Sequence, residues 1–234
     1  MKYMMTVISY FSFGRIQDCI ESIRKFIPNP NILVIDNNPS MSDSRIRKKS
    51  FQKGKHQGRF PDIRYCEAER DWLKPQLDLK YFRTDRCCTH GEAINVAVEW
   101  CYENHVHTMV HIEPDCSITG SGWLSNLLNA IDQGAWMAGS RRKPSGELHP
   151  TPSAWLVDQA INLDFRHVPR EEVVDEKLFD ISKTGHWRKL WWDTGLKAWY
   201  ECAKQHKTKQ VLAPGIAHLA GRSHKGDYRR ILHK

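Results

Sequence analysis

Two short, unbroken apolar runs with a helix-like stretch between them leave few folds open to this chain. Tyr3 to Ser9 reads Tyr-Met-Met-Thr-Val-Ile-Ser, and Asn31 to Ile35 reads Asn-Ile-Leu-Val-Ile. Runs of this kind, without polar alternation, suit strands buried on both faces. Between them, Ile16, Cys19, Ile20, Ile23 and Phe26 recur at helical spacing, which gives one apolar stripe on an otherwise polar helix. Pro28 and Pro30 end it. Strand, helix, strand at these lengths predicts a parallel pair with a right-handed crossover. In open parallel sheets, ligands bind outside the carboxyl ends of the strands. Ser9, Tyr10 and Asp36 are therefore expected together at one rim.

Further elements follow in the same style. Ser40 to Gln76 is basic and holds Gly54, Gly58, Pro61 and Pro75, so it reads as a long excursion with a short strand at Ile63 to Cys66. Leu77 to Arg83 is a third strand. Gly91 opens a helix whose buried face is Ala93, Ile94, Ala97, Val98 and Cys101, and Asn104-His105 ends it. Thr108 to Ile112 is another buried strand, and Trp123 to Ile131 another amphipathic helix. Strands are expected at Ala135 to Gly139, Ser153 to Val157 and Gln210 to Leu212. Arg141 to Gly146 is a basic turn. Asp193-Thr194-Gly195 reads as a helix start, and Ala213 to His224 as a loop. There is no internal repeat and no linker, so residues 1–234 are expected to form one α/β domain with a mostly parallel central sheet flanked by helices.

The strand at Thr108 to Ile112 ends in Glu113-Pro114-Asp115, two carboxylates separated by a stiff proline. Mg²⁺ and Mn²⁺ take oxygen ligands, and one or two carboxylates plus substrate phosphates suffice to hold them. A carboxylate pair at the carboxyl rim of a sheet therefore suits a metal-bound diphosphate. Asp193 offers a second carboxylate with two readings, a helix N-cap or a general base toward a hydroxyl. Trp191 and Trp192 beside it suit either sugar stacking or a core.

Other chemistries lack their patterns. No Gly-x-x-x-x-Gly-Lys-Ser/Thr loop and no Gly-x-Ser-x-Gly elbow occurs. Cys101, His105, His107, His111 and Cys116 crowd together, yet their spacing is not that of a zinc site. The N-terminus turns polar too soon for a signal peptide, and no apolar run approaches the roughly 20 residues of a membrane span. Seven scattered cysteines fit a reducing cytoplasm better than a disulfide framework. The net charge of +8 favours a polyanionic partner: a nucleotide diphosphate, a nucleic acid or an anionic membrane surface. Much of the excess lies in Arg45 to Arg59 and Arg222 to Lys234.

The order of these features resembles the family 2 glycosyltransferases of the GT-A fold. The matching residues are Asp36 after the second strand, Gly91 with Asn95 at a helix start, and Glu113 with Asp115 as the Asp-x-Asp-like pair. The resemblance runs from about residue 4 to residue 140. It implies a nucleotide-sugar-binding half (1–140) and an acceptor half with a basic tail (141–234). It implies that Ser9, Tyr10 and Asp36 hold the nucleoside, that Gly91 and Asn95 lie under it, and that Asp115 is the main ligand of Mn²⁺ or Mg²⁺. Glu113 stands where the family has Asp and is expected to face the donor. His218 best matches a late metal-binding His of the family, with His224 as competitor. Arg222 and Lys225 would neutralise the departing diphosphate. Asp193 is similar to the family's acidic base, although the usual Glu-Asp pair is absent.

The implied activity is a hexosyltransferase-like one. A sugar passes from a nucleoside-diphosphate donor to a saccharide or other hydroxyl acceptor, with inversion. Two readings compete. A non-catalytic, basic nucleic-acid-binding protein would need a recognition motif, and none is present. A sugar nucleotidyltransferase would need a Gly-rich, basic triphosphate loop, of which Tyr10-Phe11-Ser12-Phe13-Gly14-Arg15 is a poor version.

Overall fold

The computed structural model describes residues 2–10, 12, 14–38, 63–85, 88–140, 147–166 and 194–218. The first three elements are those the apolar runs dictate: β1 (Tyr3–Ser9), α1 (Arg15–Phe26) and β2 (Ile32–Asp36). β1 and β2 pair in parallel, with Val7 beside Val34 and Ser9 beside Asp36. α1 buries Ile16, Cys19, Ile20 and Ile23, and Arg24 and Lys25 in its last turn face the negative end of its dipole.

The chain continues through α2 (Ile63–Leu73), β3 (Leu79–Arg83), α3 (His90–Glu103), β4 (Thr108–Ile112), β5 (Cys116–Ile118), α4 (Gly122–Asp132), β6 (Met137–Gly139), β7 (Ser153–Leu156), α5 (Val157–Ala160), α6 (Leu196–Lys204), β8 (Thr208–Gln210) and β9 (Ile216–His218). One seven-stranded sheet runs β3-β2-β1-β4-β7-β6-β8, and β5 and β9 form a separate two-stranded ribbon. The sheet is parallel from β3 to β4 and again between β6 and β8. Only β7 opposes its neighbours, β4 and β6. The class is therefore α/β with a mostly parallel sheet, as expected.

Both faces of the sheet are covered, which explains the unbroken apolar strands. Met4 and Ile8 of β1 pack toward Ala93, Ala97 and Cys101 of α3 and toward Trp199 of α6. Met5 and Val7 pack toward Ile20 of α1 and toward Trp123 and Leu127 of α4. α3 starts with a full capping box: Glu92 N donates to Thr89 Oγ1 and Thr89 N donates to Glu92 Oε2. Among the described residues no helix is long and apolar enough to cross a membrane.

Several expectations need correction. Ile63 to Cys66 is not a strand but the first turn of α2. The buried positions Cys66, Glu69, Arg70 and Leu73 have helical spacing, but two of the four are charged and hide the stripe. The expected strand at Gln210 to Leu212 lies slightly earlier, at Thr208–Gln210. The expected loop from Ala213 contains β9, which pairs antiparallel with β5. Three-residue strands carry no readable period.

Trp123 is fully buried, and its indole nitrogen has no hydrogen-bond partner. Trp123→Ala should therefore cost about 3–5 kcal/mol in urea unfolding, whereas Trp123→Phe should cost far less. Equal losses for the two would show that the ring volume is not what the site requires.

Candidate functional site

The carboxyl ends of β1, β2 and β4 carry Ser9 and Tyr10, Asp36, and Glu113 and Asp115 respectively. Ser9 lies beside Asp36 in register, and Asn37 N donates to the Ser9 carbonyl at 2.9 Å. Tyr10 follows directly at the end of β1.

Asp36 is a fully buried hub. Its Oδ2 accepts from Arg70 Nε at 2.7 Å and from Tyr81 OH at 2.5 Å, and its Oδ1 accepts from Asn38 N at 3.0 Å. Arg70 also reaches the Asn38 carbonyl at 2.6 Å. Thr84 N donates to the Asp36 carbonyl at 3.1 Å. The acid after β2 thus ties β2 to α2 and to β3.

A second buried carboxylate, Glu69, adjoins it. Ser9 Oγ donates to Glu69 Oε1, Asn38 Nδ2 donates to the same oxygen at 2.9 Å, and Ser12 Oγ reaches Oε2 at 3.2 Å. Burial pushes the Glu69 carboxyl up to about 7, and the charge of Asp36 adds to this, while the Asn38 and Ser12 hydrogen bonds and Arg70 oppose it.

The two acids after β4 occupy different environments. Asp115 is buried at 3% exposure, while Glu113 is half-buried. The turn between them is fixed by hydrogen bonds to its main chain. Glu113 N donates to Thr151 Oγ1 at 2.8 Å, and Cys116 N donates to the Glu113 carbonyl at 3.0 Å. β5 begins immediately after Asp115, and Cys116 faces His218 in the β5–β9 ribbon. His218 of β9 is thereby paired with Cys116, the residue that follows Asp115. No group of three or more His, Cys, Asp or Glu with metal-holding geometry exists among the described residues. The donor set of Glu113 and Asp115 is hard oxygen, which fits Mg²⁺ or Mn²⁺ completed by phosphate oxygens.

One histidine of β4 lies two residues before Glu113. His111 on β4 is buried, neither of its ring nitrogens has a hydrogen-bond partner, and its ring lies 5.6 Å from that of His90. Burial lowers its pKa to about 3; His90 and His149 reinforce this and Glu113 opposes it.

Gly91 and Asn95, one turn apart on α3, face the segment Asp164-Phe165-Arg166. A Cβ on Gly91 would overlap the Phe165 carbonyl oxygen and lie 2.6 Å from Arg166 Cα. Phe165 N donates to Asn95 Oδ1 at 3.1 Å, and Asn95 Nδ2 donates to Asp164 Oδ1 at 3.3 Å.

At the start of α6, a cavity of about 10 Å³ is lined by Glu147, Trp155, Thr194 and Trp199, among others. It has room for about one water. Asp193, Trp191, Trp192, His224, Arg222, Lys225 and the basic runs at 45–59, 141–143 and 222–234 lie outside the described residues, as does the His218 side chain. Sequence reading passed over Glu69, Arg70, Tyr81, Thr151 and Glu147. For Glu69 and Arg70 the available signal was their place in the helical stripe with Cys66 and Leu73.

No family model and no curated protein matches the sequence. Among solved structures the chain is similar to TarS of S. aureus, at 14% identity and TM-score 0.44 over 71% of this chain and 30% of that one. It is similar to TarS 1-349 in complex with UDP-GlcNAc, at 14% identity and TM-score 0.45 over 78% and 53%. It is also similar to a cytidylyltransferase from Leptospira borgpetersenii, at 9% identity and TM-score 0.49 over 92% and 77%. The chain spans under a third of the TarS chain and about half of the 1-349 fragment.

Glu69 and His111 give opposite pH dependences. The Glu69 carboxyl is raised from 4.5 to about 7, so the folded state holds the extra proton. Its contribution is complete below 4.5 and is lost as pH rises through 7. His111 is lowered from 6.5 to about 3, so its contribution is complete above 6.5 and is lost as pH falls toward 3. Each effect is on the order of a few kcal/mol. Urea midpoints of Glu69→Gln should lack the loss toward neutral pH, and those of His111→Phe the loss toward acid. Parallel profiles for variant and wild type would refute the assignment.

Proposed function

We propose that the chain is a metal-dependent glycosyltransferase of the GT-A type, moving a sugar from a nucleoside-diphosphate donor to a saccharide or other hydroxyl acceptor. The observation that supports it most is the β5–β9 pairing, which sets His218 opposite Cys116 and so beside Asp115, at the carboxyl end of β4. Residues 1–140 form the donor half of this reading, and residues 141–234 the acceptor half. The long basic runs offer peripheral contact with an anionic membrane.

In this reading Asp115 and His218 hold Mn²⁺ or Mg²⁺. The ion, when bound, offsets the charge of the diphosphate. The roles of the protein groups follow from their positions. Ser9 and Tyr10, at the end of β1, border the nucleoside. Asp36 is buried and engaged by Arg70 and Tyr81, so it acts by fixing the Asn37-Asn38 main chain at that border. Glu113, the more exposed acid, faces the donor ribose. Asp193 accepts the proton of the acceptor hydroxyl. The hydroxyl oxygen forms a bond to the anomeric carbon as the bond from that carbon to the diphosphate oxygen breaks, which inverts the centre. Trp191 and Trp192 serve the acceptor, and they precede Thr194, which with Glu147 bounds a small cavity, by three and two residues in sequence.

Calorimetry with a panel of nucleoside diphosphates, with and without Mn²⁺, tests the donor half. Metal-dependent binding is expected in the wild type and should fall at least tenfold in Asp115→Ala. Binding that ignores both the ion and the substitution would remove the reading. Asp193→Ala should bind the diphosphate normally and lose about 10²–10⁴-fold in turnover. Release of pyrophosphate from a nucleoside triphosphate and a sugar phosphate would instead identify a nucleotidyltransferase.

A further inference from the structure

Gly91 and Asn95 are placed to set the position of another helix. The main chain of Phe165 is held through both its N–H and its carbonyl. Its N–H donates to Asn95 Oδ1 on α3 at 3.1 Å, and its carbonyl accepts from Gly195 N at 3.0 Å. Gly195 is the N-cap of α6, and its left-handed backbone, φ +74°, suits glycine. Its own carbonyl accepts the α6 hydrogen bond from Trp199 N at 2.9 Å. Among the described residues no side chain caps α6, and the Phe165 carbonyl meets one of the amide donors that a helix start leaves open.

The contact is tight throughout. Gly91 allows the Phe165 main chain to lie directly on α3, where any Cβ would collide with it. The Phe165 ring is 1% exposed and packs edge-on against Trp155 at 4.8 Å. Asn95 also holds Asp164, whose carboxylate is shared with Arg166 at 2.7 Å. Asn95, Phe165 and Gly195 thus form one continuous hydrogen-bonded path from α3 to the first residue of α6.

From this geometry we infer that Asn95 and Gly91 are positioning residues for the start of α6, acting through the main chain of Phe165. Resting on the transferase reading, this gives them a role on the acceptor side, because Thr194 and Gly195 directly follow Asp193. They set the start of α6 and leave donor affinity to the β1, β2 and β4 rim.

Hydrogen exchange by mass spectrometry on the full chain tests the path. Asn95→Ala should raise exchange roughly tenfold at the amides of residues 195–199, with β1 and β2 unchanged. Asn95→Asp should do the same, because its carboxylate would face that of Asp164. The pair Asn95→Asp with Asp164→Asn restores a donor and an acceptor and should return α6 to wild-type protection. If Asn95→Ala does not fold, the comparison of Asn95→Asp with the paired variant decides. Wild-type exchange at α6 in both single variants would overturn the inference. In parallel, calorimetry with nucleoside diphosphate and Mn²⁺ should be unchanged in Asn95→Ala, while transfer kcat falls and donor KM does not. Loss of nucleotide binding with α6 unaltered would make Asn95 a donor ligand and overturn the inference. Loosened α6 in a protein whose wild type binds no nucleoside diphosphate would uphold the path and sink only the transferase reading.

Discussion

The ion pair between Asp36 and Arg70 is the contact on which the rim depends. Both groups are withdrawn from water, and the attraction offsets that cost only because every strong partner is in place. Tyr81 and Asn38 N complete the carboxylate, and the Asn38 carbonyl takes another Arg70 N–H. The pair fastens the outer helix α2 to the end of β2 and brings Glu69 against Ser9 and Ser12. Removing one member of such a pair commonly costs about 3–5 kcal/mol. Here the loss would fall on the border where β1, β2 and α2 meet.

The parts of the fold legible in the sequence are those with a period. β1, β2 and β4 are apolar without interruption because both faces of the sheet are covered, and α1, α3 and α4 each show one stripe. α2 was not legible because Glu69 and Arg70 stand where a stripe normally has apolar residues. Its burial follows from Ser9, Asp36 and Asn38, which are remote in sequence. β5 and β9 are too short to read alone and exist through their mutual pairing.

The candidate site divides in the same way. That Ser9, Asp36, Glu113 and Asp115 share a rim follows from strand ends in a parallel sheet, so sequence reasoning could place them together. Their environments were not legible. Asp36 is saturated by Arg70 and Tyr81, Asp115 is more deeply buried than Glu113, and Gly91 and Asn95 meet Phe165. Each of these outcomes depends on a neighbour supplied by a distant segment, and no local pattern announces it. Glu147 likewise gains its meaning only from the two tryptophans beside it in the fold.

The ribbon of β5 and β9 separates assembly of the sheet from assembly of the rim. β8, at Thr208–Gln210, is the last strand in sequence to enter the seven-stranded sheet, and β9 comes after it. During synthesis, the sheet strands are all made before the segment that sits beside Asp115 exists. Long-range pairings of this kind form late because loop closure must precede their contacts. The chain can therefore hold a buried, well-packed core while β5, just after the acidic turn, still lacks its strand partner.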